Sequence, residues 1–397
     1  MRYALCALRS TVVKNDHSYQ NLFWPIFASA GRATVLRLTF FYLPIFLIGS
    51  GRTGWETGLL MSLFAVTAFV FALPMGLFND RMESRRLVQA GFALFAVFFF
   101  GAWWRGDFFS QIVFFFCGGL GALLTQLSLE SLLLKGAREG VRGKRFGLFQ
   151  LITVSVFAFA TAGGGWLIGV FDFPKIFIAS GILSVVFAVL SGRLERAPTE
   201  ISPISSYRAE MKPKGRKIFV LILFLFAFHW GAEVTSYTPF LRDNLGLSLK
   251  WTGLYMGGCL ISLALASFLS GRFSDRLVSI RYLMALGFIL SGVCQILMIF
   301  PPAGLSFAFR VLHEIGDGII MLLIFFWVST IFHVDRVSGH YGLVNFALLA
   351  GQTVSSIVFG PVGRAWGFAA PLWITGVTTL LCFGLLSRYR HTVFEGV

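Results

Sequence analysis

Gly76-Leu77-Phe78-Asn79-Asp80-Arg81 returns 195 residues later as Gly271-Arg272-Phe273-Ser274-Asp275-Arg276, and Arg86 finds its counterpart in Arg281. The register holds outward in both directions. Tyr42 and Pro44 match Tyr237 and Pro239. Gly58, Leu59 and Met61 match Gly253, Leu254 and Met256. Gly147-Leu148 matches Gly342-Leu343, and Gly165 matches Gly360. One such pair is chance; a constant offset across five apolar stretches is an internal duplication.

The duplicated unit is a set of membrane spans. A helix crosses a bilayer with about 20 mostly apolar residues. Twelve such runs stand near 22–49, 56–79, 87–104, 108–134, 146–170, 174–192, 218–241, 251–272, 281–301, 303–332, 341–364 and 368–386. Of the 397 residues, 56% are hydrophobic and only 13% charged, with 46 Phe, 10 Trp and a mean hydropathy of +0.78. A soluble domain cannot hide that much apolar surface, and a disordered or collagen-like chain has another composition. The runs are apolar on every face rather than alternating, so they are helices and not barrel strands. The expected fold class is an all-α membrane protein of 12 transmembrane helices. Six spans per repeat start the second half on the same side as the first. The two six-helix bundles are then parallel repeats about a pseudo-twofold axis along the membrane normal.

The only long hydrophilic stretch inside the chain is 193–217, with Pro198, Pro203 and Pro213. It divides the chain into an N-terminal segment 1–21, a bundle 22–192, the linker 193–217, a second bundle 218–386 and a tail 387–397. With both termini inside, cytoplasmic segments hold 24 of the 33 basic residues, as the positive-inside rule requires. The expected location is therefore an inner (cytoplasmic) membrane, with lipids as partners. The run Tyr3 to Leu8 is too short for a signal peptide. No basic domain exists for nucleic acid. Cys6, Cys117, Cys259, Cys294 and Cys382 form neither a disulfide framework nor a zinc motif. A monomer without metal is expected.

At this point the chain resembles the major facilitator superfamily, over about Leu22 to Leu386. The family's loop motif between spans 2 and 3 is roughly G-x-L-A-D-R-x-G-R-R. Here it stands as Gly76 to Arg86, with Glu83 for the second Gly and Ser84 for the first Arg of the closing pair. The resemblance implies that Asp80 with Arg81 braces a closed cytoplasmic side, with Arg85 in the same motif. Gly271, Asp275 and Arg276 are the weaker copy. On their own physics, glycines let backbones approach closely and an acid near a helix N-terminus meets its positive end.

Charge within a span is costly and functional by default. It falls on Arg32 and Arg37 in span 1, Glu130 in span 4, His229 and Glu233 in span 7, and Arg310, His313, Glu314 and Asp317 in span 10. The resemblance implies that these same four spans line a central cavity. His229 and Glu233 share one stripe at i,i+4, and the span 10 group shares one face at i+3 and i+4 steps. Arg32 and Arg37 lie about 140° apart around their helix. Arg37 is nearer the face equivalent to the span 7 stripe, so Arg37 is expected in the cavity and Arg32 on a neighbouring helix. Glu233, Glu314 and Asp317 are candidate proton carriers, with His229 and His313 as relays; static ion pairs and sodium coupling are the competing readings. Trp230, Tyr237 and Trp327 are candidate stacking surfaces for a substrate. No phosphate-binding loop or zinc-protease motif is present, so no enzyme and no cofactor beyond the coupling proton is expected. The expected function is proton-coupled transport of a small organic anion by alternating access. The alternatives are proton-driven efflux of amphipathic compounds, or a transporter-like sensor or scaffold.

Overall fold

The computed structural model describes residues 22–104, 107–137, 140–197, 199–274 and 280–395. The segment 1–21, Asp275 and Arg276 lie outside the described residues. Ten described helices are long and apolar enough to cross a membrane. One of them, Arg142–Leu190, holds spans 5 and 6 across a break at Asp172, where φ is 63°. Span 1 is two shorter helices, Phe23–Arg37 and Leu43–Gly49, joined by a 3-10 turn at Phe40–Tyr42. Pro44 sits in the first turn of the second piece, where its missing N–H costs no hydrogen bond. Together these make the twelve spans.

The remaining spans are Gly54–Arg81, Ser84–Trp104 and Phe108–Lys135 in the first half. Leu249–Ser274, Ile280–Leu297, Ala303–Ile331, Val337–Trp366 and Ala369–Val393 follow in the second. Their starts are locally encoded. Thr53 and Glu56 form a capping box on span 2, with the Thr53 N–H donating to Glu56 Oε2 at 2.8 Å. Asp107 caps span 4 by accepting from the Ser110 N–H at 2.7 Å.

Span 7, expected near 218–241, is present and interrupted: it runs as Lys214–Phe226 and Phe228–Pro239, followed by a π turn at Phe240–Asn244. Backbone carbonyls at the break are bonded to side chains: Ser355 Oγ of span 11 donates to the Phe228 carbonyl, and His229 Nδ1, three residues along the same span, lies 2.5 Å from the Phe226 carbonyl oxygen. The linker also carries a short helix, Ile204–Glu210.

The packing repeats as the sequence does. Span 3 lies on spans 4 and 6, span 2 on span 4, and span 1 on span 5. Span 9 likewise lies on spans 10 and 12, span 8 on span 10, and span 7 on span 11. The two halves meet through spans 2 and 11 and through spans 5 and 8, two contacts exchanged by the same pseudo-twofold.

Among the described residues, the seam closes toward one face. A Cβ on Gly76 of span 2 would stand 2.7 Å from Gly342 Cα of span 11. On the other pair, a Cβ on Gly271 would stand 2.1 Å from the Gly143 carbonyl. Both crossings lie toward the linker face, and only glycine permits them. Phe69 stacks on Phe346 at 5.0 Å and Phe146 lies 5.3 Å from Phe325, extending the closed zone to mid-depth. On the opposite face Gly58, Gly253 and Gly257 have no neighbour within 4 Å of an added Cβ. There the buried cluster of Tyr237, Phe240, Leu241, Tyr255, Cys259, Met298 and Leu372 belongs wholly to the second half. The molecule is therefore open away from the linker.

Candidate functional site

Spans 7 and 10 bring their charges into one buried network. Arg310 grips Glu233 through both carboxylate oxygens, its second nitrogen at 3.0 Å from Oε2, and reaches Glu314 Oε1 at 2.6 Å. The fork geometry of Arg suits such bidentate contact. Its guanidinium also lies over the Tyr237 ring at 4.5 Å. His313 Nε2 stands 3.2 Å from Glu233 and 3.8 Å from Asp317. His229 Nε2 reaches Asp317 Oδ2 at 2.8 Å, and Trp230 Nε1–H donates to the same oxygen at 3.0 Å. Ser291 on span 9 donates to Asp317 Oδ1 at 2.7 Å.

Both imidazoles are oriented alike. His313 Nδ1 lies 2.8 Å from the Ser291 carbonyl, and His229 Nδ1 lies 2.5 Å from the Phe226 carbonyl. A carbonyl only accepts, so each Nδ1 carries the hydrogen. His229 Nε2 therefore bonds to Asp317, while His313 Nε2 is buried close to Glu233 and Asp317 without a hydrogen bond to either. His229, Glu233 and His313 each place a nitrogen or oxygen within 4.8 Å of the others; the Arg310 guanidinium is the cation seated beside them. All six ionisable side chains are nearly or fully buried, Glu233 being the most exposed at 14%.

The span 1 and span 4 residues form a separate group. Glu130 Oε2 accepts from the Tyr341 hydroxyl of span 11 at 3.0 Å, and Oε1 from Gln126 at 3.4 Å. Arg32 faces this carboxylate. Arg37 lies half-buried with its guanidinium 3.7 Å from the Phe157 ring of span 5 and 5.6 Å from that of Phe40. The two guanidinium groups are thus electrostatic neighbours, Arg32 on the span 4 side and Arg37 on the span 5 side.

Among the aromatic candidates, Trp230 touches the network. Tyr237 is buried, its hydroxyl donating to Tyr255 at 3.1 Å. Trp327 does not fit a stacking role: it is fully buried, lies 4.0 Å from Phe219 and donates to the Val393 carbonyl at 3.1 Å. Its place is the packing between spans 7, 10 and 12.

The gate motif is visible on the linker face. Asp80, fully buried, accepts from the backbone N–H of Ser338 at 3.1 Å and of Gly339 at 2.6 Å, at the start of span 11. That is a carboxylate on a helix N-terminus. Lys135 stands 3.8 Å from its Oδ1. Arg85 donates to the Gly192 carbonyl at 3.2 Å and pairs with Glu83, while Arg81 is exposed.

The linker joins this gate, which nothing in its sequence signalled. Tyr207 donates to Asp80 Oδ2 at 3.0 Å. Burial, and then the Asp80 carboxylate, hold its phenol well above the usual tyrosine range, so it remains a donor. Glu210 binds Arg336 at 2.5 Å and His340 at 2.7 Å. Ser291, Tyr341 and Lys135 were likewise missed: each is a polar group whose partner lies on another span.

A family model described as Major Facilitator Superfamily matches residues 25–280 and again 219–393. The chain is 24% identical over 217 residues to the quinolone resistance protein NorA of Staphylococcus aureus, a match covering 52% of this chain and 55% of that protein. The chain thus spans about half the length of the curated relatives it matches. Its fold is similar to that of the human organic anion transporter MFSD10 (TETRAN), with TM-score 0.80, 12% identity, and coverage of 94% of this chain and 100% of that one. It is also similar to the E. coli fucose:proton symporter FucP, with TM-score 0.75, 15% identity, and coverage of 94% and 99%. The family model covers nearly the whole of the described chain, in keeping with the doubled repeat and the glycine crossings, and the chain belongs to the major facilitator superfamily.

Proposed function

We propose that the protein is a proton-coupled secondary transporter of small organic anions, working by alternating access in a cytoplasmic membrane. The excess of Lys and Arg makes the linker face cytoplasmic, so the conformation described is open to the outside.

The observation that carries the proton reading is the orientation of the two imidazoles. With both Nδ1 atoms spent on carbonyls, the His229 Nε2–Asp317 bond needs a proton between its atoms, and His313 Nε2, buried 3.2 Å from Glu233 without a hydrogen bond of its own, is placed to take a second. Three carboxylates against one guanidinium leave two negative charges, and a buried cluster must be close to neutral. Two protons, one at each imidazole–carboxylate contact, meet that requirement. A network that must gain protons to be sealed and lose them to water is a proton carrier.

Efflux of amphipathic compounds is the second reading, favoured by the match to a quinolone resistance protein. The test is proton movement in proteoliposomes challenged with pools of small acids and of cationic dyes. Ligand-evoked, sodium-independent proton flux is expected. A well-folded preparation that moves protons with neither pool, or moves solute only with sodium, would contradict the proposal.

A further inference from the structure

The first half contains two guanidinium groups whose hydrogen-bonding capacity is unspent. Among the described residues, no acid lies within ion-pair distance of Arg32 or Arg37. Arg32 Nε is buried with no hydrogen-bond partner. The carboxylate it faces, Glu130, already accepts from Tyr341 and Gln126. Arg37 offers its flat face to Phe157, which leaves its in-plane N–H groups available. A guanidinium has five donors and no acceptor, and two of them at this depth, with Glu130 facing Arg32 alone, leave a net positive charge. Such charge in a span calls for a partner.

We infer that Arg32 and Arg37 are a paired anchor for the carboxylate of the transported solute. The Phe157 and Phe40 rings seat its apolar body, and Glu130 is the resident counter-ion that the solute displaces from Arg32. The inference rests on the transport reading and deepens it by naming the ligand chemistry: a monocarboxylate with an apolar or aryl body. The second half, with more carboxylates than cations, repels an anion unless it is protonated. The anion's site is therefore on the span 1 side.

The test is thermal stabilisation of the purified full-length protein by benzoate, beside benzyltrimethylammonium as the cation of similar shape. A ligand that binds the native state raises Tm. Benzoate is expected to stabilise and the cation not to. Half-saturation is expected to rise about tenfold or more in Arg32→Gln and in Arg37→Gln, each losing charge-assisted bonds. Arg32→Lys, which keeps the charge and loses the fork, is expected to fall between. Glu130→Gln, which removes the internal competitor, is expected to lower half-saturation about threefold. Absence of a benzoate effect, stabilisation by the cation alone, or an unchanged response in Arg32→Gln or Arg37→Gln would overturn the inference. Proton-coupled flux of a cationic dye alongside any of these results would remove the anion site and leave the transporter standing.

Discussion

Asp317→Asn is expected to abolish the coupling of solute to proton movement while leaving the protein folded. Asp317 is the acceptor on which His229, Trp230 and Ser291 converge. The amide keeps one acceptor oxygen for the Trp230 indole, and the Ser291 hydroxyl can turn to accept from the amide N–H, so the packing is retained. What disappears is the negative charge that holds a proton on His229 Nε2. Hydrogen bonds to charged groups contribute about 1.5–3 kcal/mol each; losing the charge from two such contacts corresponds to roughly a hundredfold in coupled flux. The check is solute-evoked proton flux in proteoliposomes, with counterflow of solute measured in the same vesicles. Retained counterflow with lost proton flux is the signature of uncoupling. Unchanged proton flux would move the carrier to Glu233 or Glu314.

Gly76→Val is expected to force the linker face open. The added Cβ would stand 2.7 Å from Gly342 Cα and 2.8 Å from the Ser338 carbonyl, both backbone atoms that cannot swing aside. Overpacking of this kind costs about 1–3 kcal/mol. The closed seam also contains the Asp80 bonds to Ser338 and Gly339, which break when span 11 is displaced. The closed population should fall about tenfold. Ser338 reports this well: its hydroxyl is buried and makes no hydrogen bond, and its contact with Asp80 is through the backbone. In a chain cleared of native cysteines, Ser338→Cys should react with a water-soluble maleimide about tenfold faster when Gly76→Val is present. An unchanged rate would mean that the seam does not depend on the glycine crossing.

Much of this architecture is legible in the residues because membranes make the alternatives expensive. Apolar length alone locates the spans, and the offset between Gly76 and Gly271 reveals the repeat before any packing is known. The buried ions stand out for the same reason: an Arg or Asp in an apolar run is costly and must have a partner. Rotation and partnership are another matter. Helical periodicity gives the angle between Arg32 and Arg37 but not which of them faces Glu130, since that depends on how span 1 is turned against spans 4 and 5. The break in span 7 is invisible at Phe226 because the Ser355 hydroxyl that binds the Phe228 carbonyl comes from span 11. Trp327 reads as a stacking surface and is a packing element, because indole suits both and only the neighbour, Phe219, decides. Tyr207 and Glu210 are unremarkable polar-linker residues until the short helix delivers them to Asp80, Arg336 and His340.

In the transport cycle proposed above, proton occupancy of the span 7 and span 10 network sets which face is open. Two protons neutralise it and let the outer mouth seal around it; their loss leaves charge that requires water. The most direct measurement is the distance between spin labels at Gly58→Cys and Gly253→Cys, outer positions in opposite halves with open space around each. In lipid bilayers the account predicts a shorter distance in acid than in alkali for the wild-type network, and no pH response with Asp317→Asn. A distance that ignores pH in the wild-type network, or still follows it in Asp317→Asn, would contradict the account.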